Sequence, residues 1–275
     1  MITVPAFFER SGEEFRPLPL ARSLWSDQAL LGPAVCGLLA HELERQCLPE
    51  GFSPARFFVE LHRPVPAVPL SVRTSISRNQ GRLCAASAEL MAGDKPVARA
   101  TLAFLRKSGP PPGEMWTSTR KPPVPPDDFP DDQQLYASDE FGGWSTELGD
   151  HMNSSRKRTW MPRVGELVAR EKLSAFVAAA ILGDQANLVC HWGTEGVGYI
   201  NIDLSMTFAR LPESVPMGMG IEVDSQFAAE GISSGTAIVY DHDGPIATAT
   251  VSALANPLRQ VDLASLGKES VAEAS

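Results

Sequence analysis

The sequence predicts an α+β protein built as two tandem repeats, each an antiparallel sheet wrapped around one central helix. Three observations carry that expectation. The segment from Ser174 to Trp192 opens as a helix with no polar stripe: Phe176, Val177, three alanines, Ile181 and Leu182. A helix apolar on every side is one that other structure surrounds. Segments on either side alternate apolar and polar residues between turn residues, the pattern of antiparallel hairpins. The chain also repeats itself. DKPVARATLAF (Asp94 to Phe104) lies over DGPIATATVSA (Asp243 to Ala253), with Asp, Pro, Ala, Ala and Thr in the same places. An internal duplication is more specific than any short motif here.

Taken in order, residues 5–22 read as short edge strands turning at Ser11-Gly12, with prolines that keep them at an edge. LLGPAVCGLLAHELERQ reads as a helix with Pro33 in its first turn, where a missing N–H is harmless. ARFFVELHRP and LSVRTSISRNQ alternate as strands, and GRLCAASAELMAGDKPVARATLAFLRK reads as a hairpin turning at Gly93-Asp94. The expected organisation is a first repeat over residues 1–108, a proline- and acid-rich linker over 109–135, a second repeat over 136–260 and a flexible tail over 261–275. The linker is a spacer or an extended arm, which Trp116 and Phe129 are expected to pin. In the second repeat, strand-like pieces surround Trp144 and Trp160. The helix follows, and then GYINIDLSMTFARLP, MGIEVDSQFAAEG and ISSGTAIVYDHDGPIATATVSAL.

Composition narrows the function. The chain has 275 residues and a formal net charge of -9, which argues against nucleic acid or an anionic membrane as the main partner. Its N-terminus lacks the basic and apolar regions of a signal peptide, and no apolar run is long enough to span a bilayer uninterrupted. A cytoplasmic location is expected. Cys36, Cys47, Cys84 and Cys190 show no ligand spacing and read as buried free thiols, and the five histidines form no HExxH cluster. No metal is expected.

Asp184 breaks the apolar helix, with Asn187 one turn later on the same side. A carboxylate there is costly unless hydrogen-bonded or paired. It reads either as a structural Asp at a break after Gly183 or as a base held in an apolar pocket. Of the other polar features, the Arg156-Lys157-Arg158 run reads better as a solvated strand end than as a phosphate site. His191 reads as a core or surface histidine, and the repeated Arg63 and Arg210 as structural.

The doubled arrangement resembles the hot-dog fold in its fused, double hot-dog form, and the sequence is similar to the thioesterase-like superfamily related to type II acyl-CoA thioesterases. The likeness is densest at FVAAAILGDQANLV, GYINIDLSMTFARLP and VYDHDGPIATATVSAL, and GPAVCGLLAHELER with ARFFVELHRPVP is similar to the family's first repeat. The resemblance implies hydrolysis of an acyl-CoA thioester by a water that three residues orient. These are an Asp on the second helix, a Thr or Ser on the next strand and a Gln on the last strand. Carried onto this chain, Asp184 is the acid, Asn201 stands at the Thr position and Ser252 at the Gln position. Asn187 and Phe176 are expected to bind substrate. Coenzyme A enters only as part of the substrate, with no other cofactor, and a homodimer is expected. Cys36-Gly37 stand where the first helix would carry a matching acid, so one centre per chain follows.

An Asn amide can donate to a carbonyl and accept from a water, whereas Ser252 is shorter than Gln. Desolvation by Phe176, Val177 and Ile181 should raise the Asp184 pKa. No GxSxG motif favours an acyl-serine route. In GYINIDLSMTF the apolar set is Ile200, Ile202, Leu204, Met206 and Phe208, so regular alternation turns Asn201 away from the helix. A bulge, or a site between the repeats, would reconcile the two. The competing reading is a binding protein of the same fold that holds an acyl ligand without turnover. GDQANLVCH also resembles the G-D-x-N-P-x-H segment of hot-dog hydratases, with His191 as base, but its spacing is off by one and it lacks the proline.

Overall fold

A computed structural model describes residues 5–23, 26, 28–130, 135–213, 218–258 and 260–264. The first repeat holds a hairpin, β1 (Ala6–Ser11) and β2 (Glu14–Pro17), a helix α1 (Gly32–Cys47), and strands β3 (Phe52–Glu60), β4 (Ser71–Gln80), β5 (Leu83–Ala92) and β6 (Lys95–Arg106). The second opens with β7 (Tyr136–Asp139), β8 (Lys157–Met161) and β9 (Glu166–Val168). Helices α2 (Ala175–Gly183) and α3 (Ala186–His191) follow, then the short pair β10 (Trp192–Gly193) and β11 (Gly196–Val197). The repeat closes with β12 (Tyr199–Asn201), β13 (Asp203–Phe208), β14 (Met219–Ala229), β15 (Ile232–Asp241) and β16 (Gly244–Ala255).

One antiparallel sheet runs through both repeats in the order β4-β5-β6-β3-β13-β16-β15-β14-β8-β7, with β12 also paired to β16. The repeats join where β3 meets β13, Phe57 opposite Met206. The arrangement is the expected α+β double hot-dog. The duplication reaches into backbone detail: the β5–β6 ladder slips between Leu90 and Met91, and the β15–β16 ladder between Val239 and Tyr240, 149 residues later (239 − 90 = 149).

The two central helices fill the concave side and run antiparallel against each other. Gly32 lies against Asp184, Gly37 against Ile181, and the Ser174 hydroxyl donates to Glu44 at 2.5 Å. A Cβ at Gly37 would sit 2.7 Å from Ile181 Cγ1, so the glycine lets the helices approach. The central helix of the second repeat is two, with the break after Gly183 that one reading of Asp184 expected, because the chain turns at Asp184 and Gln185 before resuming at Ala186.

β6 is third from one edge of the sheet and β7 forms the opposite edge, so the linker has to cross six strands, a span of roughly 34 Å at about 4.8 Å per step. Helices occupy the concave side, and the linker crosses the outer one. Two tyrosines on that face hold it, Tyr240 donating to the Pro123 carbonyl at 2.9 Å and Tyr136 to that of Pro130 at 2.7 Å. Arg120 pairs with the buried Glu222 and with Asp224. Phe129 packs on Tyr136 as expected, edge to face at 5.1 Å. Trp116 does not pin the arm; it is 89% exposed. Of the expected flexible tail, Leu263 is buried beside Trp192 and Val261 bridges Val197, while residues 265–275 lie outside the described residues.

Replacing Arg120 with Ala should release the arm. A charge-assisted hydrogen bond contributes about 1.5–3 kcal/mol, so opening should rise roughly tenfold or more. Limited digestion with a non-specific protease should therefore cut residues 117–128 correspondingly faster, with the melting temperature little changed.

Candidate active site

Asp184 is placed where α2 ends against the first turn of α1. Its carboxylate is buried, and Oδ1 accepts from Asn201 Nδ2 at 3.0 Å. Cys36 of α1 points its thiol at the same oxygen from 3.8 Å. On the other side, a Cβ at Gly32 would lie 2.1 Å from Oδ2, so only glycine leaves room for the acid. The first turn of a helix has backbone N–H groups with no acceptor inside the helix, and its end carries partial positive charge. Gly32 and Cys36 come from the first repeat and Asp184 and Asn201 from the second, so the site lies on the seam between them.

Asn201 reaches the acid because the strand is not regular. Asn201 pairs with Ala253 while Ser205 pairs with Thr250, a slip of one residue (201 + 253 = 454; 205 + 250 = 455). That slip reverses which residues face inward. Beyond it Leu204 and Met206 are fully buried; before it Asn201 turns in, and Ile200 and Ile202 turn out to solvent. The expected apolar face of this segment is therefore corrected at its first two isoleucines. The Asp203 side chain stabilises the slip by accepting from the Ser252 backbone N–H at 2.7 Å.

Ser252 is not brought to the acid. On β16 the buried Val251 and Ala253 face the helices, so Ser252 between them faces outward. Phe176 is also remote, packed edge to face between Phe57 (5.6 Å) and Phe208 (5.5 Å) in the core. Asn187 is committed to protein: Nδ2 donates to the Tyr199 carbonyl at 3.1 Å, and Oδ1 lies 2.8 Å from His191 Nδ1. Since Oδ1 can only accept, His191 carries its proton on Nδ1 and accepts from Ser233 at Nε2, 2.8 Å away. The His191 ring stacks on Tyr199 at 4.9 Å. This relay fastens β12 to α3, and with it the amide of Asn201. Gly32, Cys36 and Asp203 join the site only in the fold; Gly32 is marked in the sequence by its place before Pro33.

The related position in the first repeat is closed. Asp184 lies ten residues after the α2 N-cap Ser174 (184 − 174 = 10), and ten after the α1 N-cap Leu31 stands His41 (41 − 31 = 10). This, rather than Cys36-Gly37, is the counterpart. His41 sits in an ion cluster with Arg10, Glu42 and Glu171. The Lys157 ammonium is likewise occupied by Asn153 and Ser155 oxygens, and Arg158 by Glu222. Arg210 forms a bidentate pair with Asp241, in keeping with a structural role. Among the described residues no three His, Cys, Asp or Glu side chains converge as metal ligands, and no helix is long and apolar enough to cross a membrane.

A fused double hot-dog with one buried carboxylate on its seam defines a class of protein. Residues 124–255 match the family model of the acyl-CoA thioesterase C-terminal domain and residues 21–105 that of the N-terminal domain. The chain belongs to the acyl-CoA thioesterase family, a family of thioester hydrolases. No curated protein sequence matches it. Among solved structures it is similar to the tesB protein of Mycobacterium avium subspecies paratuberculosis, at 14% identity and a TM-score of 0.63, covering 91% of this chain and 96% of that one. It is similar also to an acyl-CoA thioesterase II of Mycobacterium marinum, at 14% identity and a TM-score of 0.61 over 92% and 96%. A hot-dog protein of Alicyclobacillus acidocaldarius matches at 14% identity and a TM-score of 0.67 over 90% and 95%. These likenesses show the fold.

Burial raises Asp184 from 3.8 to about 6, against hydrogen bonds from Asn201 and Cys36 that lower it. The unfolded chain loses this proton near pH 4 and the folded chain near pH 6, so stability falls as pH rises through that window. Two units at about 1.4 kcal/mol each amount to roughly 3 kcal/mol at neutral pH. Asp184→Asn should therefore melt several degrees higher than wild type at pH 7, with the gap closing near pH 4. Burial lowers His191 to about 4, which tilts stability the opposite way and should leave the wild-type profile nearly flat between pH 4 and 6.

Proposed function

We propose that this chain hydrolyses an acyl-CoA thioester to the free acid and coenzyme A, with Asp184 as general base. The observation that supports this most is the 3.0 Å contact between Asn201 and Asp184 on an acid pushed up to about 6. A base is most effective when its pKa lies near the working pH. Oδ1 is engaged by Asn201 and Cys36, which leaves Oδ2, on the Gly32 side, to take a proton from water. Asn201 keeps its own carbonyl oxygen to accept the second water hydrogen. The water oxygen attacks the thioester carbon, and the backbone N–H groups of Gly32 and Ala34 at the start of α1 are the candidate donors to the developing oxyanion. Collapse of the tetrahedral intermediate breaks the C–S bond, and the proton held on Asp184 passes to the departing thiolate. Ser252 has no part in this scheme. No cofactor is required beyond the coenzyme A of the substrate, and the reaction suits cytoplasmic lipid metabolism.

The test is thiol release from acyl-CoAs of short, long and aromatic acyl groups. Wild type should turn over at least one, with a rate that rises through about pH 6 and then levels. Asp184→Asn should lose roughly 10²–10⁴-fold in kcat, the range of general-base catalysis, and Asn201→Ala a smaller share. If wild type hydrolyses none while an acyl-CoA raises its melting temperature, the chain is a binding protein of this fold.

A further inference from the structure

Where the arm meets the second repeat, Phe129, Tyr136 and Trp144 wall a hollow of about 420 Å³ that opens to solvent. The three rings come from separate pieces of chain, and each is fixed. Phe129 ends a turn that its N–H closes on the Pro126 carbonyl at 3.1 Å. It meets Tyr136 edge to face, the ring planes 72° apart, so the two form adjacent walls. The Tyr136 hydroxyl is committed to the Pro130 carbonyl, and its ring faces the hollow. Trp144 is brought back beside β7 by a tight loop. Asp139 accepts from the N–H groups of Phe141 and Gly142 at 2.8 and 2.7 Å, and Ser145 and Ala137 exchange both backbone hydrogen bonds at 2.9 Å. The polar part of the lining is acidic or neutral. Asp128 brings a carboxylate, Ser145 and Thr146 bring hydroxyls, and no lining residue is basic. A second carboxylate, Asp150, stands behind Ser145 and accepts its hydroxyl at 2.9 Å.

We propose that this hollow binds a small molecule bearing a quaternary ammonium group. An aromatic ring face attracts a cation within about 6 Å of its centroid, and here three rings share one space with a carboxylate. A quaternary ammonium spreads its charge over carbon groups and has no N–H to satisfy, so apolar walls can replace its water. A primary ammonium carries three donors, for which the rings offer no acceptor. An anion would meet Asp128, and a neutral apolar molecule gains nothing from it. The net charge of -9 also draws cations to the chain. The hollow is on the outer face of the sheet, away from Asp184, and stands independently of the hydrolysis proposed above. Phe129 belongs to the arm and Tyr136 and Trp144 to the second repeat, so an occupant clasps the end of the arm to the sheet.

Choline is the probe, beside neohexyl alcohol, its uncharged isostere in which carbon replaces nitrogen. Each is titrated into the full chain and read by proton–nitrogen NMR of the tryptophan indoles, the Trp144 signal being identified by its absence in Trp144→Leu. Choline should move that signal saturably and leave Trp192, in a separate apolar cluster, in place; the isostere should move neither. Phe129→Leu should weaken binding roughly tenfold, as loss of one cation–ring contact implies. Asp128→Asn, at an exposed position, should weaken it about threefold at low salt and less at high salt. Bound choline should also slow proteolytic cleavage of the arm. Equal responses to choline and its isostere would reduce the hollow to an apolar surface and overturn the proposal. No response to choline overturns it too, as does a response that both substitutions leave unchanged. A response to phosphatidylcholine vesicles but not to free choline assigns the hollow to lipid and likewise overturns it.

Discussion

Asp184 sits where one helix stops against the first turn of another, and that meeting fixes the environment of the carboxylate. The antiparallel packing of α1 on α2 needs glycine at positions 32 and 37, and it removes the acid from water. What remains is one amide, one thiol and the positive end of a helix. Desolvation outweighs the hydrogen bonds, and the pKa settles near 6 rather than near 4. Fusing two hot-dog repeats in one chain allows the two sides of this pocket to differ. The glycine and cysteine come from one repeat and the acid from the other, while the related position holds His41 sealed by ion pairs.

The one-residue slip at Ile202 is the second constraint, and it acts on both faces of the sheet. Inside, it aims Asn201 at the acid; outside, it exposes Ile200 and Ile202. Asp203 stabilises the slip by taking a backbone N–H that the ladder leaves without its usual acceptor. The relay from Asn187 through His191 to Ser233 then holds β12 against α3. A short strand with an irregular ladder would otherwise be the loosest part of the site.

Much of this was legible in the sequence. The all-round apolar helix, the repeated strand and the Gly93-Asp94 turn indicated the doubled architecture, and a carboxylate inside an apolar run marked Asp184. The face of Asn201 was not legible, because period-2 alternation assumes an unbroken ladder and a single slip reverses it. Ser252 enters through the family's Gln position alone; the regular alternation of β16, with Val251 and Ala253 facing the helices, turns it outward. The His41 counterpart of Asp184 is hidden in the sequence because the N-cap of α1, Leu31, carries none of the usual capping side chains that would fix where the helix starts. Trp116 and Phe129 looked alike as anchors; only the strand positions of Tyr136 and Trp160 decide which of them meets a partner.

The proposed hydrolysis depends on one acid held partly protonated near neutral pH. The most direct measurement is a carbon-13 NMR titration of the aspartate carboxyl carbons, with the Asp184 resonance identified by its absence in Asp184→Asn. A midpoint near pH 6, where burial places it, is the predicted result. A midpoint near 4, the ordinary aspartate value, would mean that the carboxylate is solvated and would contradict the claim that it serves as a base.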